Sequence, residues 1–436
     1  MINIGNLKIH CFYEDTYIPI EDVAIKIYES DKAFNDIKLV KTVYTNQSGY
    51  VDNIELESVD ISNTKIMGAK PYGIYNLYTS KEGYKGHVIK GVQIFPGRKG
   101  IQQIRLEKGE DGKCAKKTIV IPEHKQIQQE CSKCQPKKQA LNLKLEKDFL
   151  NAKQNKKSKK KKKNYIEKSN RVLDSVQVPE FITVHSGAPT NRNAANYTVS
   201  FVDYIKNVAS SELYSTWTQD ALRANIYCIV SFALNRVYTE WYPSRGYNFD
   251  ITNDTAYDQA FFPGRTTYDS INIIVDQLFA SYIQRDGQKE PLLAEFCNGT
   301  TSTCPNWLSQ WGSQYLGENG YTPYEILTYY YGNNINLLEA MQVNGYPSSY
   351  PGYTLNLWTS GSNVEIIQNQ LNRISQNYPV IGRLEVDGIY GPKTEEAVKV
   401  FQGIFDVPTT GIVNKATWYS ISRVFVGVTR EAELTQ

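Results

Sequence analysis

The chain has 436 residues, 41% hydrophobic and 21% charged, with 29 Gly and 17 Pro. This balance excludes a collagenous, wholly disordered or membrane-embedded protein and predicts several domains. The longest nearly apolar run, residues 227–234, is far short of the ~20 residues a membrane-spanning helix needs. The net charge of +3 hides three regions. Residues 1–110 carry 14 Lys and Arg against 14 Asp and Glu, residues 111–171 carry 19 against 6, and residues 172–436 carry 15 against 25. An acidic body without a basic stripe argues against a nucleic-acid partner, because duplex affinity rests on Lys and Arg at phosphates. The N-terminus lacks the basic start and apolar block of a secretory signal, so export by the general route is not expected.

In chain order, residues 1–110 alternate with period two, as in Leu7, Ile9 and Cys11 or Val23, Ile25 and Ile27, and Asn46 to Gly49 supply turn chemistry. They predict a small antiparallel sandwich. Residues 111–175 are polar and basic; Lys156, Lys157 and Lys159 to Lys163 form a self-repelling block that predicts an exposed, cleavable spacer. A short helix is expected near residues 140–150. All six Trp and 22 of 32 Tyr follow residue 171, where the chain becomes globular. Thr216 and Gln219 read as a capping box opening a helix whose Leu222, Ile226, Ile229, Ala233 and Val237 share one face. A second amphipathic helix is expected near residues 270–282. Residues 342–361 read as a Pro/Gly/Ser/Tyr-rich linker, and helical patterns at 363–376, 393–405 and 415–424 predict a three-helix C-terminal unit.

The clearest pattern lies in that unit: Asp387-Gly388-Ile389-Tyr390-Gly391-Pro392 opens a helix with Ala397, Val400 and Phe401 inward, and Thr410-Gly411-Ile412 to Trp418 opens another. It resembles the peptidoglycan-binding domain of cell-wall hydrolases over residues 362–425. Which exposed residues touch glycan is not legible in the pattern. Upstream, Tyr204 to Leu213, Thr216-Trp217 with Ala221 to Ala224, Leu308 to Gln314 and Tyr324 to Gly332 together resemble the stage II sporulation protein D (SpoIID) family of lytic transglycosylases. Tyr214 and Thr218 stand where that family often has Pro. The family's acid carries over to Glu212. One carboxylic acid suffices for such a reaction: it protonates the glycosidic oxygen, then takes a proton from the muramic acid 6-hydroxyl, which closes a 1,6-anhydro ring without water. Glu212 must then keep its proton near neutral pH, and Tyr214 and Trp217 are the local groups expected to dry it against the dipole of the capped helix that follows. Gln259, Gln310, Trp217 and Tyr214 are the candidate substrate contacts.

The order of blocks resembles the clostridial spore cortex-lytic enzymes. That resemblance implies a multidomain α+β proenzyme: a β-sandwich-like pro-domain at 1–110, a basic spacer at 111–175, a mixed α/β catalytic domain at 176–341, a linker at 342–361 and a three-helix domain at 362–428. It further implies cortex peptidoglycan as substrate, synthesis in the mother cell, storage at the cortex and coat boundary, and activation by a subtilisin-like Csp germination protease. The processing region is expected at Leu173, Asp174, Ser175, Val176 and Gln177. No cofactor or metal is expected. Cys297 and Cys304 bracket a loop suited to free or paired thiols, since His185 is the one His left in the body to share a metal with them. Cys114, His124, Cys131 and Cys134 have ligand types but lie in polar spacer. Two other readings remain, an N-acetylmuramoyl-L-alanine amidase and a non-catalytic wall-binding protein.

Overall fold

Alternating apolar residues in the first hundred positions need two faces to close on, and a computed structural model shows which. It describes residues 3–109, 117–127, 175–300, 304 and 306–429. Strands β1 (Asn3–Tyr13), β2 (Ala24–Ser30), β3 (Asp36–Tyr44), β4 (Tyr50–Ser58), β5 (Gly73–Ser80), β6 (His87–Ile94), β7 (Lys99–Leu106) and β8 (Lys117–Val120) form two sheets, ordered β4-β1-β7 and β3-β2-β5-β6-β8. Leu7, Ile9, Ile25, Ile27, Ile54, Leu77 and Ile89 from both sheets bury themselves between them. The sheets are mixed, not purely antiparallel: β1 runs parallel to β7 and β6 parallel to β8. Residues 117–127, read as spacer, therefore belong to this head, because Thr118 and Ile119 complete a sheet edge beside Val88 and Ile89. The Lys156–Lys163 block, the helix expected at 140–150, Cys114, Cys131 and Cys134 fall outside the described residues.

In the body, β9 (Gln177–Val178), β10 (Phe181–His185) and β11 (Asn196–Ser200) lead into α1 (Phe201–Glu212), then α2 (Gln219–Tyr238). The cap of α2 is Thr218, whose hydroxyl accepts from the Ala221 amide at 3.3 Å. Thr216 is instead used up in a turn closed by Trp217 N–H to Tyr214 O at 3.0 Å, so the capping box expected two residues earlier does not form. After β12 (Ile251–Thr252) and β13 (Thr267–Tyr268) comes α3 (Asp269–Leu278), which stops short of residue 282 because Ser281–Arg285 is strand β14. The rest of the body is β15 (Phe296–Cys297), β16 (Leu308–Ser309), α4 (Gln310–Glu318), α5 (Pro323–Tyr331) and β17 (Ile335–Glu339).

Residues 342–361 are packed rather than a free linker. Strand β18 (Gln342–Val343) pairs with β9, Trp418 Nε1 donates to Ser348 O at 3.1 Å, and Leu355 is buried against Val413. Then follow α6 (Ser362–Ser375), α7 (Pro392–Ile404) and α8 (Lys415–Thr429). Val364, Ile367, Leu371, Phe401, Trp418 and Ile421 meet in a core that is continuous with that of the body.

The head is locked to both other units. Tyr268 and Thr267 pair antiparallel with Gly100 and Ile101, so β13 extends the head's sheet. At the other end Lys8 Nζ, fully buried, donates to Gly403 O at 3.0 Å, to Ile404 O at 2.7 Å and to Asp406 Oδ1 at 3.1 Å. Lys8 thus caps the carbonyl end of α7 with a positive charge.

Candidate active site

Glu212 is the last residue of α1, a helix opened by Ser200, whose hydroxyl accepts from the Asp203 amide. The side chain is 6% exposed. Its Oε1 accepts from the Ala260 amide at 3.1 Å and its Oε2 from Gln310 Nε2 at 3.2 Å. Two clamps hold the Ala260 amide in place. Asn207 on α1 accepts from Phe262 N–H at 3.0 Å and donates to Phe262 O at 2.8 Å. Gln259 accepts from Tyr204 OH at 3.0 Å and donates to Ile229 O at 3.2 Å. Gln259 is thus spent within the fold, and its neighbour's backbone reaches the carboxyl.

Gln310 opens α4, capped by Ser309. Ser313 Oγ donates to Gln310 O at 2.6 Å and itself accepts from Asn225 on α2 at 2.6 Å. Close packing of α4 on α2 depends on Gly317, where an added Cβ would sit 2.3 Å from Thr218 Oγ1. Tyr214, two residues after Glu212, Trp217, and Trp311, next to Gln310, stack edge to face with centroids 5.3–5.8 Å apart. All three are buried, and their OH or N–H groups, with Ser210 Oγ and Ser215 Oγ, have no partner among the described residues.

Burial raises the Glu212 pKa, and the donors Gln310 and Ala260, with the Lys125 and Arg265 charges, pull it back only in part. The helix dipole acts in the same direction as burial. Glu212 sits at the carbonyl end of α1, not four residues before the positive end of the next helix, so the anion is disfavoured there as well.

The segment after β8 crosses this site. Gln126 Nε2 donates to Glu212 O at 2.7 Å and to Gln310 Oε1 at 2.5 Å. His124 Nε2 lies 3.1 Å from Leu213 O, while its Nδ1 accepts from the Gln126 amide at 3.3 Å. That pattern is the neutral Nε2–H tautomer; burial, then the Arg265 charge, hold the ring's pKa well below its ordinary value. The His124 ring packs 4.8 Å from Tyr214. Pro122 O accepts from Gln93 at 2.9 Å and from Arg265 at 3.2 Å, tying the segment to head and body together.

Of the residues expected at the site, Glu212, Gln310, Tyr214 and Trp217 converge, and Gln259 stands behind them. His124 was read only as a metal-ligand type, and Gln126 and Arg265 were missed; for His124 and Gln126 the one sequence signal is the apolar Ile119, Val120, Ile121 and Ile127 inside an otherwise polar stretch, and for Arg265 there is none. Cys297 and Cys304 form a disulfide. His185 is elsewhere, bonded through Nδ1 to Asn196 Oδ1 at 2.7 Å and stacked on Phe249. In the processing region Leu173 and Asp174 lie outside the described residues and Ser175 is exposed, whereas Val176 is buried and Gln177 is paired in β9. The bond between Val176 and Gln177 is therefore shielded.

Residues 360–421 match the peptidoglycan binding domain family, and the C-terminal helices are such a domain. No curated protein matches the chain. Among solved structures, the Bacillus anthracis TIE protein is 20% identical over 24% of this chain and 17% of its own, with a TM-score of 0.17. The 3-chlorocatechol 1,2-dioxygenase from Rhodococcus opacus 1CP is 11% identical over 25% of this chain and 61% of its own, also with a TM-score of 0.17. The chain thus spans less than two thirds of either protein, and neither likeness describes its whole fold. No described helix is long and apolar enough to cross a membrane. The chain is thus a mixed α+β protein that carries a C-terminal peptidoglycan-binding domain at residues 360–421.

Proposed function

We propose that the chain is a peptidoglycan lytic transglycosylase stored as a proenzyme, with Glu212 as general acid and then general base. The observation that supports it is a buried carboxyl held by two fixed donors, two residues from an aromatic cluster with unused polar groups, in a chain that also carries a peptidoglycan-binding domain. In the first step protonated Glu212 gives its proton to the glycosidic oxygen between N-acetylmuramic acid and N-acetylglucosamine, and the bond from that oxygen to C1 breaks. In the second the carboxylate accepts the proton of the muramic 6-hydroxyl, whose oxygen bonds to C1 and closes the anhydro ring. No water is consumed, and Glu212 ends protonated as it began. The Ala260 and Gln310 donors steady the anion between the two steps.

In the uncut chain Gln126 and His124 occupy backbone carbonyls on the acid's own turn, so glycan is kept out. Release requires a cut in the segment between the head and Val176, a role suited to a subtilisin-like germination protease, and departure of the head. Storage at the cortex and coat boundary of a spore, on cortex peptidoglycan, fits a lytic enzyme that is held silent while in contact with its substrate. The test is mass spectrometry of cortex fragments after proteolysis and removal of the head. Anhydromuramic ends support the reading. Ordinary reducing ends would mean a hydrolase, free N-terminal alanine an amidase, and intact strands a non-catalytic binder.

A further inference from the structure

Trp358 is 72% exposed, whereas Trp217, Trp311 and Trp418 are buried and Trp241 and Trp307 half-buried. It is also held at φ +71°, in the left-handed region that bulky side chains rarely adopt. The loop carrying it is pinned on both sides. Before it, Leu355 is buried and exchanges hydrogen bonds with Val413 at 3.0 and 2.9 Å. After it, Tyr390 N–H donates to Thr359 O at 2.8 Å and Gly361 N–H to Gly388 O at 2.9 Å. The Trp358 amide itself donates to Tyr390 O at 2.9 Å, and Asn356 and Thr359 bond to each other across the turn. An indole fixed in an unfavourable backbone conformation and left facing water is a presented group rather than a misplaced core residue. Leu357, 40% exposed, precedes it in the chain, and Ile389, 47% exposed, is bridged to Ser360, two residues after it.

We infer that Trp358, with Leu357 and Ile389, is a platform on which the peptidoglycan-binding domain seats the glycan strand. The inference rests on the binding role of that domain, and Trp358 itself lies two residues before the stretch that matches the family. Peptidoglycan offers sugars and charged stem peptides. A flat aromatic face with two aliphatic neighbours suits the C–H face of a pyranose, and none of the three side chains carries a charge to match a stem peptide's. The platform is open in the uncut chain. Among the described residues the head's hydrogen bonds and ion pairs to this domain fall on Tyr378, Gly403, Ile404, Asp406 and Gly427. Tyr390 and Gly403 lie at opposite ends of α7, whose 13 residues span roughly 20 Å. The silent chain therefore holds the wall while its acid is covered.

The experiment is co-sedimentation of the full, uncut chain with purified peptidoglycan sacculi, with glycan chains stripped of stem peptides as competitor. The uncut chain is expected to sediment, the stripped chains to displace it, and Trp358→Ala to bind about tenfold or more weakly at an unchanged melting temperature, with Trp358→Tyr largely restoring binding. Binding by Trp358→Ala equal to the parent would overturn the platform while leaving the domain's role intact. Failure of stripped chains to compete would overturn the choice of glycan. A parent chain that never sediments would overturn the binding role and the platform with it.

Discussion

Glu212 shows how far a single carboxyl can be tuned by its surroundings. Burial and the carbonyl end of α1 favour the protonated acid, while Gln310 and Ala260 keep the anion attainable. Because its pKa is raised, the side chain's contribution to stability is fully present below its ordinary value of 4.5 and is lost as pH rises through the higher folded value. In the proposed reaction the first step needs the proton, so activity of the released form is expected to follow the same sign and to fall on the alkaline side. Glu212→Gln, measured by muropeptide analysis of the released form, is expected to lower cleavage by ~100-fold or more. Gln310→Ala removes a donor to the anion, so the alkaline limb of the pH–rate profile is expected to move up. A downward move would mean that Gln310 acts on something other than the carboxylate.

At the scale of elements, the covering segment at residues 121–127 matters more than its length implies. It satisfies the carbonyls of Glu212 and Leu213, and removing its side chains forfeits about 1 kcal/mol or more per bond. The double variant His124→Ala, Gln126→Ala is therefore expected to give the uncut chain slow glycan cleavage, where the parent gives none over the same time. Continued silence would place the block elsewhere in the head. The C-terminal helices were legible in the sequence to within a few residues, because Gly391-Pro392 and Asn414 mark their starts and the apolar faces repeat at helical spacing. Glu212, Tyr214, Trp217 and Gln310 could be named because they sit in local patterns. The covering segment could not, because His124 and Gln126 are polar residues in a polar stretch and their partners lie 86–184 positions away. The cap of α2 was misplaced for a related reason: Thr216 and Thr218 are equal candidates until buried Tyr214 and Trp217 set the intervening turn.

Over the whole molecule, the head is a bridge with one contact at the acid and another at the wall-binding domain. Burial pushes the Asp406 carboxyl up, but His10, Lys8 and Lys99 outweigh it and hold the group well below its ordinary range. The sign is that of a depressed acid: its contribution is present above the ordinary value of 3.8 and is lost only as pH falls through the lower folded value. The latch should therefore persist at pH 4. Asp406→Ala takes the nearer carboxylate from buried Lys8 and leaves it Asp52 at 3.9 Å, a loss at or below the about 3–5 kcal/mol of a broken buried pair. After proteolysis, the parent's head is expected to co-elute with the body in gel filtration at neutral pH, and the Asp406→Ala head to separate. Separation of the parent's head on cutting alone would show that the cut, and not the latch, controls release.

The most direct measurement of the central claim is mass spectrometry of cortex glycan treated with the cut chain after its head has been removed, run beside its Glu212→Gln counterpart. 1,6-Anhydromuramic ends are expected from the first and uncut strands from the second. Reducing ends, or equal cleavage by both, would contradict the claim.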